Sequence, residues 1–157
     1  MDVYDVMRTT FAARDFTDQE VSDEVLFRIL DNARFAPSGG NRQGWKVLVI
    51  KDREVRIQLK AILGPTIRQY RASQNIGETP FSPVGESQLT QAMIDETPTT
   101  FPLVDSLENA PALLVVCVDL KEVCAFDKDL DRVGLISGGS VYPFAWNILL
   151  AARNEQL

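Results

Sequence analysis

Only two stretches of the chain read as strands, Trp45–Ile50 and residues 111–120, and they stand among several helical segments. That scarcity constrains the fold more than any other feature. A stable sheet normally needs three or more strands. The chain therefore reads as an α+β domain short of strands, the missing ones expected downstream or from a partner. The second run is almost continuously apolar, which predicts burial on both faces with Cys117 as a small core residue. Residues 3–10 read as a short first helix. A stronger one opens at Ser22, a good N-cap followed by Asp23 and Glu24, with Val21 and Leu26 placed as a hydrophobic staple. Val25, Leu26, Ile29, Leu30 and Ala33 share one face at helical period, and Pro37 disfavours helix past Ala36. Residues 54–63 predict a further helix with Val55, Leu59, Ile62 and Leu63 inward, capped and stopped by Gly64-Pro65. Residues 132–153 read as one long helix. Its first half is made of small residues that another backbone can approach, its second half is apolar, and Pro143 should kink it. Residues 75–109 hold four of the eight prolines and read as a long excursion with a helical piece at 86–95. Such a segment is a lid, a dimer-wrapping arm or a surface insertion.

A length of 157 residues suits one domain with a real core. The net charge of −6 argues against nucleic acid as a partner. The complete absence of histidine removes Ser–His and Cys–His nucleophilic designs. With only two cysteines, Cys117 and Cys124, a zinc site or a disulfide framework is not expected either. No side chain stands out as catalytic and no metal is expected, so difficult chemistry would come from a bound cofactor. Asp2 and Asp5 stand where a signal peptide would be basic and then apolar. The longest apolar run, residues 110–118, is too short to span a bilayer. A soluble, cytoplasmic protein with reduced thiols is the expectation.

The most informative segment is APSGGNRQGW, residues 36–45. It is a bend between a helix and a buried strand. Its glycines allow positive φ and close approach to a flat ligand. Ser38, Asn41 and Gln43 offer short donors and acceptors, and Arg42 a cation. A merely structural glycine-rich turn is the alternative. The segment resembles the Pro-Ser-x-x-Asn-x-Gln-Pro-Trp signature of nitroreductase-family flavoproteins, with Gly44 where the family usually has proline. Three further stretches fit in order: Arg14-Asp15-Phe16 resembles the family's Arg-x-Phe, Asn109-Ala110-Pro111 its Asp-Ala-Pro, and residues 146–153 its core helix with an Asn-Leu-Leu-Leu-Ala-Ala run.

The resemblance implies a nitroreductase-like α+β fold, a central and mainly antiparallel sheet flanked by helices, in an intertwined homodimer with one FMN at each of two interfaces. It carries Arg14 over as the grip on the flavin phosphate, since guanidinium binds phosphate bidentately. Thr10 and Ala12 stand where the family often has Arg and Ser; Thr10 can donate one hydrogen bond, and Arg8, otherwise a solvated helix residue, is placed to compensate. Pro37, Ser38, Gly39, Asn41 and Gln43 carry over as the opposing subunit's contribution, with a structural bond to the loop as the alternative for Gln43. Trp45 reads as core. Arg68 and Arg71 read as exposed, with polar contact to the flavin ring as the alternative. Phe81 and Phe101 cover the substrate or pack on the partner. The implied activity passes hydride from NAD(P)H through flavin to a nitroaromatic, quinone or similar small-molecule acceptor. The alternatives are a non-catalytic flavin-binding or sequestering protein and a reductive dehalogenase-type relative. The family domain usually continues with a Gly-rich turn and a strand that complete the flavin site, so residues 1–157 read as one C-terminally incomplete domain with weak FMN binding by themselves.

Overall fold

The structure, a computed structural model, describes residues 1–157. Its helices are α1 (Val3–Thr9), α2 (Asp23–Ala33), α3 (Arg53–Asn75), α4 (Gln91–Glu96), α5 (Pro102–Asp105) and α6 (Tyr142–Asn154); its strands are β1 (Trp45–Ile50) and β2 (Leu113–Val118). The chain divides into two compact units, one of residues 1–12, 19–49 and 112–157, the other of residues 13–18 and 50–111.

In the first unit β1 and β2 pair as a two-stranded sheet. The Asp119 amide, just past the end of β2, donates to the Gly44 carbonyl, just before β1, at 2.8 Å, so the strands run antiparallel. Ser22 caps α2, its Oγ accepting from the Val25 amide at 3.3 Å, as its N-cap position in the sequence predicts. The helix then presents Ile29, Ala33 and, past its end, Ala36 to Phe144 and Ile148 of α6. Those five buried residues form the core, and Trp45, Val47, Leu114 and Val116 of the sheet close over it. Trp45 stacks on Phe144 with ring centroids 4.5 Å apart and planes 10° from parallel, which makes it core, as its sequence position suggests. Arg28 on α2 grips Glu155 at the end of α6 with Nη2 and Nε, at 2.6 and 3.2 Å, and that pairing holds the Glu155 carboxyl below its usual range. Arg153 Nε donates to Thr9 Oγ1 at 2.9 Å, joining α6 to α1.

Two expectations fail in this unit. Residues 132–153 are not one helix. Residues 136–140 form a 3₁₀ turn and α6 begins only at Tyr142. The reason is Asp127, 3% exposed. Its carboxylate accepts from the amides of Leu135 at 2.6 Å and Ile136 at 3.3 Å and from Arg132 at 2.9 Å. The Ile136 amide, which a helix from residue 132 would bond to the Arg132 carbonyl, is thereby diverted. Pro143 then falls in the first turn of α6, where a missing N–H costs nothing, so no kink is needed. The second failure is β2, which is half-buried along most of its length, with Cys117 exposed rather than in the core.

The second unit is built on α3, which runs 23 residues straight through Pro65 and so overrides the Gly64-Pro65 stop. An interior proline costs about 3 kcal/mol. Contacts on both sides of it offset that cost. Arg56 donates to the Lys51 and Glu108 carbonyls at 2.6 and 3.3 Å, Lys60 to the Asp105 carbonyl at 3.3 Å, and Arg71 to the Thr100 carbonyl. Positions 56, 60 and 71 are one and about three turns apart, hence on one face. That face, not the predicted apolar one, is turned inward. Ile62 is 71% exposed and Val55 and Leu63 are also exposed, only Leu59 of the predicted four is half-buried, and Arg56 is buried. The 75–109 excursion begins only where α3 ends. Its predicted helical piece at 86–95 is displaced to α4, where Thr90 Oγ1 caps the Met93 amide at 3.3 Å. Phe81 and Phe101 both lie against Tyr70 of α3, at ring distances of 6.5 and 5.9 Å.

Candidate functional site

The bend between α2 and β1 takes its shape from three residues with positive φ: Gly40 at 61°, Asn41 at 52° and Gln43 at 51°. Only glycine reaches that region freely, asparagine tolerates it, and glutamine does not without support. The support is local. The Gln43 amide donates to Ser38 Oγ at 3.1 Å, and Gln43 Nε2 donates to the Arg34 carbonyl at 3.3 Å and to Asn41 Oδ1 at 3.2 Å. The Asn41 amide closes a turn on the Ser38 carbonyl at 2.9 Å. The structural alternative for Gln43, a bond to the loop backbone, is therefore present.

Two partners of the bend lie far along the chain. The Gly39 amide donates to Ser140 Oγ at 3.1 Å, across 101 positions of sequence. Gly44 sits so close to Glu122 that an added Cβ would lie 2.5 Å from the Glu122 Cβ. This accounts for glycine at a position where a proline ring has no room. Sequence reasoning missed both Ser140 and Glu122. The small residues 138–140 do signal that another backbone comes near, without saying which one.

What the bend leaves facing outward is polar. Residues 40–43 are exposed. Asn41 spends its oxygen on Gln43 and keeps its amide NH₂ for an outside acceptor. The Arg42 guanidinium has Glu122 at 3.8 Å as a loose partner. Pro37 is exposed beside them, and Ser38 and Gly39 are half-buried.

At the end of α1, Thr10 is half-buried and its hydroxyl donates to the Val6 carbonyl at 2.7 Å. The one hydrogen bond expected of Thr10 is thus already committed to its own helix. Arg8 lies over the Tyr4 ring, 5.7 Å from the centroid. In the other unit Arg14 is exposed, and its carbonyl accepts from Ser106 Oγ at 3.0 Å. Arg68 and Arg71 are half-buried rather than exposed. The structure thus brings residues 37–43 together as one element and places Thr10 and Arg8 at the end of α1. No group of histidine, cysteine, aspartate and glutamate side chains is arranged to hold a metal ion, and no helix is long and apolar enough to cross a membrane.

The sequence model described as the Nitroreductase family matches residues 7–157. A nitrobenzene nitroreductase of Ectopseudomonas oleovorans is 39% identical over 69 residues, which is 44% of this chain and 29% of that protein. Matches to curated relatives cover less than a third of those proteins' length. Among solved structures, iodotyrosine deiodinase bound to FMN and 3-iodo-L-tyrosine superposes with a TM-score of 0.64 at 20% identity, covering 98% of this chain and 70% of that one. A nitroreductase with bound FMN from Desulfitobacterium hafniense gives 0.59 at 24% identity, covering 97% and 64%. At these identities the superpositions speak for the fold alone.

Proposed function

The chain belongs to the nitroreductase family, and from that premise we propose that it serves as an FMN-dependent oxidoreductase. It would take hydride from NAD(P)H and deliver it to a nitroaromatic, quinone or similar acceptor. The observation that carries this reading is the bend at residues 37–43. Its positive-φ backbone is held by internal bonds while Asn41 and Arg42 are exposed, the latter with Glu122 at 3.8 Å as a loose partner. That donor set, beside a glycine without a side chain at residue 40, fits a flat heteroaromatic ring system carrying an anionic tail.

Bound FMN would supply the two-electron chemistry that this histidine-free chain lacks. Pro37, Ser38, Gly39 and Asn41 would line the ring system, and Gln43 would keep the bend in shape. Arg14 and Arg8 would neutralise the phosphate, for which guanidinium geometry is suited. Thr10 would take part only if its hydroxyl proton left the Val6 carbonyl, so the arginines carry the larger share. No side chain need act as a proton donor at the acceptor; the protein's part is orientation and charge placement. A homodimer is part of the proposal. Val3, Tyr4, Met7 and Phe11 at the N-terminal helix, Phe27 on α2 and Trp146 and Leu149 on α6 are all exposed, and exposed apolar surface of this extent favours a second copy as its cover.

The test is the visible spectrum of the purified chain after incubation with FMN, followed by anaerobic NAD(P)H, with light scattering to give the mass. The expected result is a dimer that takes up added FMN weakly and whose flavin band bleaches on reduction, with FMN binding at least about tenfold weaker still in Arg14→Gln. Flavin that is retained and never bleaches would favour the sequestering alternative. A monomer that ignores FMN would refute both.

A further inference from the structure

The Gln43 bonds that shape the bend run to residues 34, 38 and 41, all within one stretch of chain. They fix its form and leave its position to more distant contacts. At its glycine end that contact is the Gly39 amide donating to Ser140 Oγ at 3.1 Å. Cys124 fills the space beside the same glycine, its Sγ 3.3 Å from where a Cβ at residue 39 would lie. Ser140 is in turn anchored on both sides. It ends the 3₁₀ turn 136–140. Downstream, the Val141 amide donates to the Gly138 carbonyl at 2.9 Å and the Ala145 amide to the Val141 carbonyl at 3.0 Å, which ties the turn to α6. The Tyr142 ring lies so close to Gly138 that a Cβ there has no room. Upstream, the Gly138 amide donates to the Leu135 carbonyl at 3.2 Å. The amides of Leu135 and Ile136 are themselves held by the buried Asp127 carboxylate. Asp127 and Gly39, both in the first unit, are thus joined by an unbroken run of hydrogen bonds and short peptide steps.

We propose that Ser140 is a positioning residue of the flavin site, and that Asp127, from the far end of the same turn, holds Ser140 in place. The role rests on the flavin reading above. Ser140 fixes where Gly39 stands, and so where its neighbours Pro37 and Asn41 stand toward the ring system, without touching the flavin itself. Asp127 suits the part of anchor, because bonds to an ionised carboxylate are stronger than neutral ones. An edge placed in advance costs the ligand less ordering than one that must be assembled. Residues 127–140 therefore act as a brace behind the bend.

The experiment is an FMN titration, followed by flavin absorbance, of the parent, Ser140→Ala, Asp127→Ala and the double variant. Amide exchange at Gly39 is measured on the same proteins without flavin. Each single variant is expected to weaken FMN by about three- to tenfold and to speed exchange at Gly39. The double variant should be no weaker than the worse single one, because both changes act through one bond. Ser140→Thr, which keeps the hydroxyl, should restore most of the affinity and the protection. Should Asp127→Ala fail to fold, Asp127→Asn serves instead: it keeps the shape, removes the charge and should shift both readouts the same way. Unchanged FMN affinity in Ser140→Ala, unchanged Gly39 exchange in the Asp127 variant, or losses that add in the double variant would overturn the brace and leave the flavin reading standing. A parent that takes up no FMN would overturn the flavin reading and the role of Ser140 with it, whatever Gly39 exchange shows.

Discussion

Gly44→Ala is a single-methyl substitution whose cost follows from one distance. A Cβ built on Gly44 lies 2.5 Å from the Cβ of Glu122 and 3.3 Å from its Cγ. Side-chain rotation relieves the second contact but not the first, because a Cβ moves only with its backbone. The Glu122 backbone is tied down in turn, its amide donating to the Asp119 carbonyl at 3.0 Å. Asp119 is itself anchored, its amide donating to the Gly44 carbonyl at 2.8 Å. Pushing Glu122 away therefore strains the end of the β1–β2 ladder. Overpacking of this kind costs about 1–3 kcal/mol. For a chain of this size that is roughly 2–4 °C in Tm per kcal/mol. The assay is urea unfolding of four proteins: the parent, Gly44→Ala, Glu122→Gly and the double variant. Glu122→Gly by itself should cost about 0.5–1 kcal/mol in backbone entropy. In its background Gly44→Ala should cost almost nothing, since the remaining neighbour, the Asp119 carbonyl oxygen at 3.5 Å, is in ordinary contact. The close approach would be disproved as the cause if Gly44→Ala lost the same stability in both backgrounds.

Phe144→Ala removes a ring that is 2% exposed and stacked on Trp45. A loss of about 3–5 kcal/mol is expected by urea unfolding, with a changed Trp45 emission; a loss under about 1 kcal/mol would remove that stack from the account of the core. Asp127 gives a pH prediction. Its carboxyl is held below its ordinary 3.8, first by the Leu135 amide and then by Arg132 and the Ile136 amide. A depressed folded-state value means the stabilisation is present above the unfolded value and is lost as pH falls through the folded one. The 127–136 loop should thus stay closed at neutral pH and open on acidification from about pH 4 downward, read as faster amide exchange at Leu135 and Ile136. Asp127→Asn should flatten that dependence, and an unchanged acid limb in the variant would count against the carboxylate.

The parts of the fold that were legible in the sequence are those whose causes are local. Ser22, its two acids and the apolar period of α2 act within a few residues of one another, and the structure keeps that helix and its cap. β1 is bounded by a bend and a Lys-Asp pair, again local. Helix α3 was misread because its tolerance of Pro65 comes from carbonyls at residues 100, 105 and 108, which no window around residue 65 contains. The start of α6 was misread for the same reason: Asp127 takes the Ile136 amide that a helix from residue 132 would need, from nine residues away. Tertiary bonds override local propensity in both cases. The bend was legible as a turn with glycine chemistry. Its dependence on Ser140 and Glu122 was not, because nothing in residues 36–45 specifies which distant backbone approaches.

That division bears on how the bend can act. Gln43 in the left-handed region costs about 1–3 kcal/mol. Its three hydrogen bonds, to Ser38, Arg34 and Asn41, return about 0.5–1.5 kcal/mol each, so the strained shape is roughly balanced from within. None of those bonds uses the Asn41 amide NH₂ or the Arg42 guanidinium. The bend is therefore formed without a ligand, and Asn41 and Arg42 lie exposed on it. A ligand that meets a preformed edge of donors gives up less ordering entropy than one that must assemble it. On the proposed flavin reading, the stiffness of the bend, set by Gln43 inside it and by Ser140 and Glu122 outside it, would be a determinant of affinity separate from the residues that would touch the ligand.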